Sequence, residues 1–152
     1  MAKISEDEFR ETVQHFRDLG ETPAFRKMDL SNLGLYEADL NGIDCSGSDL
    51  SAANLGKSSL RGAILAGTDL SGADLALTDL SGADLSRADL LATNLRGANL
   101  TGANLRGAAL TGANLANTIL DGADLAGLQF DIYTRWPIGF DPLAAGAVRS
   151  RA

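Results

Sequence analysis

The sequence predicts an all-β solenoid built from four-sided coils, and three recurring residue types predict it. Leucine occupies every fifth position from Leu30 to Leu125, with Cys45 as the one substitution. A small residue stands two positions before most of these central residues, and Asp or Asn stands immediately before most of them. A short internal repeat of this kind decides the architecture of a chain before any other feature does.

The period of five residues excludes the ordinary elements. On an α-helix, steps of about 100° per residue would rotate successive leucines by roughly 140° and scatter them over every face. On a single β-strand, an odd step would send each leucine to the opposite side of the sheet. The chain must therefore turn a corner every five residues, and four corners close a coil of about twenty residues.

The positions around the leucine predict a filled interior. Ala, Ser or Thr two residues before it leaves room for the leucine inside a narrow tube, so a central ligand pocket is not expected. The larger exceptions at this position are Met28, Leu33, Ile43 and Leu128, near the two ends of the array. Glycine is the commonest residue two positions after the leucine, where a tight corner favours positive φ.

Two segments carry a resemblance to a known family. Residues 81–85, SGADL, and 101–105, TGANL, resemble the consensus unit of the pentapeptide-repeat family, and similar units run from residue 28 to residue 132. The resemblance implies a right-handed quadrilateral parallel β-helix, with the central leucine and the small residue two before it facing inward. At a spacing of about 4.8 Å per coil, about five coils would form the rod.

Residues 1–27 are predicted to form an N-terminal helical cap. Ser5 is expected to begin a helix as its N-cap, with Glu8 three residues on, and Gly20 is expected to end it. We expect the apolar stripe to cover the first coil, together with Phe25 and Met28, because an open solenoid end exposes its core and strand edges. A docking helix for another protein is the alternative. The stripe consists of Phe9, Val13, Phe16 and Leu19.

Residues 133–152 are predicted to form a C-terminal aromatic cap and a frayed tail. We expect the aromatic residues to cover the last coil, with an exposed aromatic binding patch as the alternative. Asp141 and Pro142 suit the start of a short helix that ends near Gly146. The last residues, including Arg149 and Arg151, are expected to be frayed. The aromatic residues of this segment are Tyr133, Trp136 and Phe140.

Composition predicts a non-enzymatic cytoplasmic protein. No apolar run approaches the roughly 18 residues of a membrane span, and the N-terminus is acidic and polar, unlike a signal peptide. The one cysteine, Cys45, holds a central position and is expected to be a buried core residue. No catalytic constellation, phosphate-binding loop or metal-ligand spacing is present, so no cofactor or metal is expected. The one histidine, His15, is expected on the surface.

Acidic residues are concentrated in the first part of the rod. Residues 28–89 contain ten acidic and three basic residues, whereas residues 90–132 contain three acidic and two basic ones. With twenty residues per coil, four aspartates lie one above another on one face, and they form our candidate partner-binding surface. Like charges about 4.8 Å apart repel, so backbone hydrogen bonds, counter-ions or a basic partner should offset them. These aspartates are Asp29, Asp49, Asp69 and Asp89.

Apolar residues at outer positions are few. Ile64, Leu77, Leu91 and Ile119 fall on different faces by the coil register and do not form an evident patch. They are interpreted as scattered surface residues, and an edge-to-edge or end-to-end homodimer stays open.

Two functional hypotheses follow. The first is a non-catalytic protein interaction or scaffold module whose partner the sequence does not identify. The second is an acidic DNA mimic that inhibits or protects DNA gyrase or another DNA-binding protein, as the resemblance implies for some family members. Direct nucleic-acid binding is not expected, because it requires a basic patch. Against both stands the interpretation that Asp before Leu is simply what the repeat geometry prefers.

Overall fold

A computed structural model describes residues 1–150 and shows parallel β-bridges stacked in ladders. All of these bridges but one join a residue to one twenty positions later, and bridged positions recur every five residues. Residues twenty apart therefore lie one above the other, and the predicted corner at every fifth residue is present. One bridge from each side shows the spacing: Asp49 to Asp69, Asn54 to Asp74, Ser59 to Asp79 and Ile64 to Asp84.

The four sides of the coil are numbered by the outward residue that precedes each central one. Face 1 carries positions 29, 49, 69, 89, 109 and 129, and face 2 carries 34, 54, 74, 94 and 114. Face 3 carries positions 39, 59, 79, 99 and 119, and face 4 carries 24, 44, 64, 84, 104 and 124.

Longer elements occur only toward the two ends of residues 1–150. In chain order they are β1 (Ala2–Lys3), α1 (Glu6–Asp18), β2 (Met28–Asp29), β3 (Gln129–Phe130) and β4 (Val148–Arg149). β1 pairs in parallel with β2, and β4 pairs in parallel with β3. Both terminal strands thus extend the ladder of face 1, one at each end of the rod.

The interior is filled by side chains as predicted. Every central leucine from Leu55 to Leu115 is at most 1% exposed. Buried hydroxyls find partners inside: the Thr68 hydroxyl donates to the carbonyl of Cys45 at 2.9 Å. Cys45 is itself buried, and burial, followed by the nearby Asp44 carboxylate, raises the pKa of its thiol to about 12. The interpretation of Cys45 as a core residue is therefore correct.

The corners impose a backbone conformation that does not depend on the residue present. The second residue after each central one, from Lys27 to Gly127, has φ between 53° and 70°. Glycine adopts this region freely, whereas other L-residues pay about 1 kcal/mol or more there. Nine corners nevertheless carry side chains: Lys27, Asn32, Glu37, Ala52, Lys57, Leu77, Arg87, Ala92 and Asn117.

The N-terminal helix begins as the sequence predicts. Ser5 and Glu8 form a reciprocal capping box, and Phe9 and Val13 are the buried residues of α1. Leu19, by contrast, is 58% exposed, so the apolar stripe is shorter than predicted.

The solenoid begins earlier than predicted. Phe25 packs against Phe9, with 4.5 Å between ring centroids, but it is not part of a separate lid. Its neighbour Ala24 bridges Asp44, and the Phe25 N–H donates to the Asp44 carbonyl at 2.7 Å. The predicted boundary at residue 28 is wrong, because Phe25 lies five residues before Leu30 and takes the central position there.

The solenoid also continues past the predicted end of the repeat. Arg135 bridges Asn114, a separation of 21 residues, so one extra residue is inserted in this coil. The Thr134 hydroxyl donates to the carbonyl of Leu110 at 2.9 Å, as the inward threonines of other coils do. Trp136 therefore follows in the central position.

The aromatic cluster at this end differs in membership from the prediction. Trp136 contacts Phe130 and stacks on Phe140, with centroid distances of 5.5 and 5.2 Å. Tyr133 is 70% exposed, so its assignment to the cluster is wrong. The insertion before Trp136 shifts Tyr133 out of the inward register.

Two further predictions at this end are wrong. Asp141 does accept a hydrogen bond from the Ala144 N–H at 3.1 Å, but residues 142–146 form turns and no helix. Arg149 is not frayed, because β4 pairs Val148 and Arg149 with Gln129 and Phe130. Arg151 lies outside the described residues.

Candidate functional site: an acidic stripe on face 1

The four predicted aspartates lie on one face, each bridged to the next in the following coil. In each, Oδ1 accepts a hydrogen bond from the backbone N–H two residues later. The distances are 3.0 Å to Ser31, 2.8 Å to Ser51, 2.9 Å to Ser71 and 3.0 Å to Leu91. We call Asp29, Asp49, Asp69 and Asp89 the acidic stripe.

Asparagine performs the same local task. Asn54 accepts from the Gly56 N–H at 3.1 Å, and Asn99 accepts from the Thr101 N–H at 3.0 Å. The turn needs a short side chain with an acceptor oxygen, which both types provide. The repeat geometry therefore explains the choice of Asp or Asn, but it does not explain four negative charges on one face.

Three aspartates on faces 3 and 4 have cationic partners from the preceding coil. In three pairs an arginine lies eighteen residues before the aspartate, one coil down on the same face. The N–O distances are 2.5 Å for Arg26 and Asp44, 3.7 Å for Arg61 and Asp79, and 3.1 Å for Arg106 and Asp124.

The acidic stripe lacks this arrangement. Eighteen residues before Asp49, Asp69 and Asp89 stand three serines, at positions 31, 51 and 71. Within residues 1–150, none of these three aspartates has a cationic group within 4.0 Å. Asp29 alone contacts one, the Lys3 ammonium at 3.4 Å.

At one end of the stripe, the ionised carboxylate of Asp29 is stabilised by additional contacts. The Ser31 hydroxyl and then the Ser31 N–H donate to Asp29, and with Lys3 they lower the pKa of its carboxyl below 3.8. Beyond Asp89 the face becomes neutral, with Ala109 and Gln129 at the equivalent positions. The stripe thus spans three coil steps, about 14 Å, with one carboxylate in each coil.

The described residues contain no candidate metal centre. Within residues 1–150, no group of three or more His, Cys, Asp or Glu side chains is placed to hold a metal ion. His15 is exposed, as the sequence predicts. Over the same residues, no helix has the length and apolar character needed to cross a membrane.

The family is shown by comparison with known proteins. The model of pentapeptide repeats matches residues 29–67, 63–102 and 98–131, in eight copies. The chain belongs to the pentapeptide-repeat family. Membership implies the right-handed β-helix, and the bridge ladders of this pentapeptide-repeat protein agree with it. The resemblance seen in the sequence is confirmed.

Solved structures of the same family are similar to this pentapeptide-repeat protein. Rfr23 from the cyanobacterium Cyanothece 51142 is 28% identical, covering 84% of this chain and 98% of that one, with a TM-score of 0.76. The pentapeptide repeat protein alr5209 from Nostoc Pcc 7120 is 35% identical over 92% of this chain and 94% of that one, with a TM-score of 0.34.

More distant is QnrB1, a plasmid-mediated fluoroquinolone resistance protein. The full-length protein is 18% identical over 99% of this chain and 90% of that one, with a TM-score of 0.37. A likeness this low says nothing about the function of the present chain. Comparison with curated protein sequences found no match.

The difference between the faces has a signal in the sequence. In this fold the residue eighteen positions before an aspartate is its neighbour in the previous coil. Arg at that position predicts a neutralised aspartate, and Ser predicts one without a cation. Applying this spacing to Ser31, Ser51 and Ser71 would have singled out face 1.

Proposed function

We propose that this pentapeptide-repeat protein is a non-catalytic interaction module whose acidic stripe binds a basic segment of a protein partner. The observation that carries the proposal is that Asp49, Asp69 and Asp89 are aligned on one face without cations, whereas three aspartates on faces 3 and 4 each have an arginine from the preceding coil. A lysine- or arginine-rich segment would supply the charges that this face lacks.

A rigid support for such a surface is part of the proposal. The tightly packed leucine interior holds the carboxylates at a fixed spacing, so little ordering entropy is lost on binding. We assign α1 and the cluster around Trp136 the role of caps that cover the two ends of this interior. About five complete coils then separate the caps.

The decisive experiment neutralises the stripe without disturbing its turns. In the variant Asp49→Asn, Asp69→Asn, Asp89→Asn, each asparagine keeps the acceptor oxygen that the turn needs. Asp29 stays unchanged because it contacts Lys3. The control variant undergoes the same change in net charge outside the stripe. It carries Asp→Asn substitutions at three other positions, Asp74, Asp84 and Asp121.

Proteins captured from a lysate of the source organism are compared quantitatively for wild type and both variants. The proposal expects a set of basic partners that is retained by wild type and by the control but lost by the stripe variant. Equal capture by all three proteins, with unchanged melting, would show that the stripe serves only the repeat geometry.

The alternative is an acidic DNA mimic that acts on DNA gyrase or another DNA-binding protein. Regularly spaced carboxylates on a rigid rod favour it, but the charge density does not. Duplex DNA carries one negative charge per about 1.7 Å, so the roughly 14 Å of the stripe corresponds to about eight phosphates against four carboxylates. The structure therefore favours a basic peptide segment over a duplex-binding groove as the partner.

A gyrase supercoiling assay tests the alternative directly. Inhibition by wild type that disappears in the stripe variant and persists in the control would replace the first proposal by the DNA-mimic one. Unchanged supercoiling at every protein concentration rules out the gyrase version.

A further inference from the structure

The corner between faces 2 and 3 carries large side chains, in contrast to the corner between faces 3 and 4. We call Tyr36, Lys57, Leu77 and Arg96 the Leu77 ridge. They occupy the first or second corner position in successive coils, and all four are exposed. At the corner between faces 3 and 4, every equivalent second position is glycine: Gly42, Gly62, Gly82, Gly102 and Gly122.

Leu77 is anomalous in two independent ways. Its φ is 58°, in the left-handed region that leucine avoids, and its side chain is 58% exposed. Glycine would relieve the backbone and a polar residue would suit the solvent, so neither folding nor solubility accounts for leucine here. Within residues 1–150 no other large apolar residue combines positive φ with exposure.

The ridge side chains lie over glycines of the next coil. A Cβ on Gly97 would come within 2.7 Å of Leu77 Cδ2, and a Cβ on Gly56 within 3.1 Å of Tyr36 Cδ2. These two glycines leave room for the leucine and the tyrosine ring against the rod. The apolar contact area is therefore formed before any partner arrives, which lowers the entropy cost of binding.

Cations flank this apolar centre. The Lys57 ammonium lies 5.8 Å from the centroid of the Tyr36 ring, one coil before Leu77. Arg96 lies one coil after Leu77, and its carbonyl accepts from the Leu77 N–H at 2.9 Å. In the described part of the chain, neither Lys57 nor Arg96 has a carboxylate within 4.0 Å. The acidic residue of this corner is Glu37, one coil before Lys57, and its charge acts on the Lys57 ammonium from a longer distance.

We propose that the Leu77 ridge is a docking site for an acidic amphipathic helix of a partner protein. The complementary pattern is Glu-x-x-Leu-x-x-Glu, in which one apolar side chain lies between two carboxylates. Residues three apart in a helix rise by about 4.5 Å, close to the roughly 4.8 Å between coils. Such a helix lying along the rod would set its leucine on Leu77 and its carboxylates near Lys57 and Arg96.

A second copy of this chain fits the ridge less well. Its acidic stripe has the same coil spacing, but it presents a carboxylate in every coil and would place Asp69 opposite Leu77. Burying an unpaired carboxylate against an apolar side chain is unfavourable. The ridge and the stripe lie on different sides of the rod, so the two proposals fail or succeed separately.

The probe is a fluorescein-labelled alanine-rich helical peptide that carries one Glu-x-x-Leu-x-x-Glu motif. Its binding to the full chain is measured by fluorescence anisotropy. We expect Leu77→Gly to weaken binding about tenfold, because the buried leucine contact is lost. Lys57→Ser should weaken it less and reduce its dependence on salt.

The matched control is Ala92→Gly. Ala92 is also exposed, occupies the same repeat position at another corner and has φ 54°. Both glycine variants should raise Tm by about 2–4 °C through relief of the corner backbone, but only Leu77→Gly should lose peptide binding.

Three results would overturn the proposal. They are equal binding of a peptide with Lys in place of both Glu residues, equal losses in Leu77→Gly and Ala92→Gly, and no binding of the acidic peptide up to about 1 mM. Sedimentation of the protein without peptide tests the other occupant considered above, a second copy of this chain. Self-association that Leu77→Gly abolishes would assign the ridge to that second copy instead.

Discussion

Asp69 on face 1 and Asp79 on face 3 are the same residue in the same repeat position with different electrostatic surroundings. Both accept from the N–H of a serine two residues later, Ser71 at 2.9 Å and Ser81 at 3.0 Å, and from the same serine's hydroxyl. Asp79 has the Arg61 guanidinium 3.7 Å away, whereas Asp69 has no cation within 4.0 Å among residues 1–150.

This pair separates two kinds of information in the repeat. The five-residue unit sets the turn and its hydrogen bond, so the local geometry of the two aspartates is alike. The residue eighteen positions earlier sets the charge next to them, so their electrostatic surroundings differ. The charge around an aspartate of this rod therefore depends on contacts between coils, and its turn depends on contacts within a unit.

The largest expected effect tests whether the interior is equally intolerant of charge on two faces of the rod. Leu70 follows Asp69 on face 1, Leu85 follows Asp84 on face 4, and both are fully buried. Leu70→Asp and Leu85→Asp should each lower the free energy of unfolding by about 4 kcal/mol or more, because an unpaired charge enters the interior. Chemical denaturation measures it, with Ser86→Asp as an outward control that stays near wild type.

The next largest effect is a loss of stability at low pH that depends on Asp44. Burial opposes ionisation of Asp44, but hydrogen bonds from Ser46 and Arg26 outweigh it and hold the pKa of this carboxyl below 3.8. A depressed pKa gives stability that is present above the unfolded value and is lost as pH falls through the folded value. Wild type should therefore lose stability below pH 3.8.

The comparison protein for the acid experiment is Asp44→Asn. It should be less stable than wild type at neutral pH by about 1.5 kcal/mol, since a charged hydrogen bond is removed, and the difference should shrink toward about pH 2. Urea unfolding at a series of pH values measures this. A constant difference over that range would show that the carboxylate charge of Asp44 does not stabilise the fold.

A third prediction separates the turn from the charge. Asp69→Ala and Asp79→Ala should each lower the free energy of unfolding by about 1 kcal/mol, because the backbone N–H of the turn loses its acceptor. Asp69→Asn should be close to neutral, while Asp79→Asn also loses the contact with Arg61. Thermal melts of the four variants give the differences, and a destabilised Asp69→Asn would mean that the stripe charge supports the fold.

The smallest effect on stability comes from transferring the arginine between faces. Ser51→Arg places a guanidinium eighteen residues before Asp69, as Arg61 stands before Asp79. The exposed ion pair should change the free energy of unfolding by less than about 1 kcal/mol. Partner capture by the stripe should nevertheless fall, and undiminished capture would count against the stripe as the binding surface.

Much of the fold could be predicted because five-residue periodicity and capping are local signals. The interior leucines and the Ser5 and Glu8 capping box are examples. Both predicted boundaries of the solenoid are wrong, because aromatic residues take the central positions at its ends. Phe25 and Trp136 replace the leucine there, and an inserted residue hides the second of them.

No sequence pattern predicts the two terminal strands, β1 and β4. Two residues, Ala2 and Lys3, make a strand only because Met28 and Asp29 offer an open edge, and the same holds for β4 beside β3. Strand pairing over such short lengths depends on the partner edge and not on propensity.

The sequence by itself determined the architecture, the inward residues and the alignment of the four aspartates, because each follows from counting in fives and twenties. The tertiary structure alone showed that residues eighteen positions apart are neighbours, and it decided which corner side chains lie over glycines and where the solenoid ends. These depend on distances between coils, and a contact between residues eighteen or twenty positions apart exists only once the chain has wound into the rod.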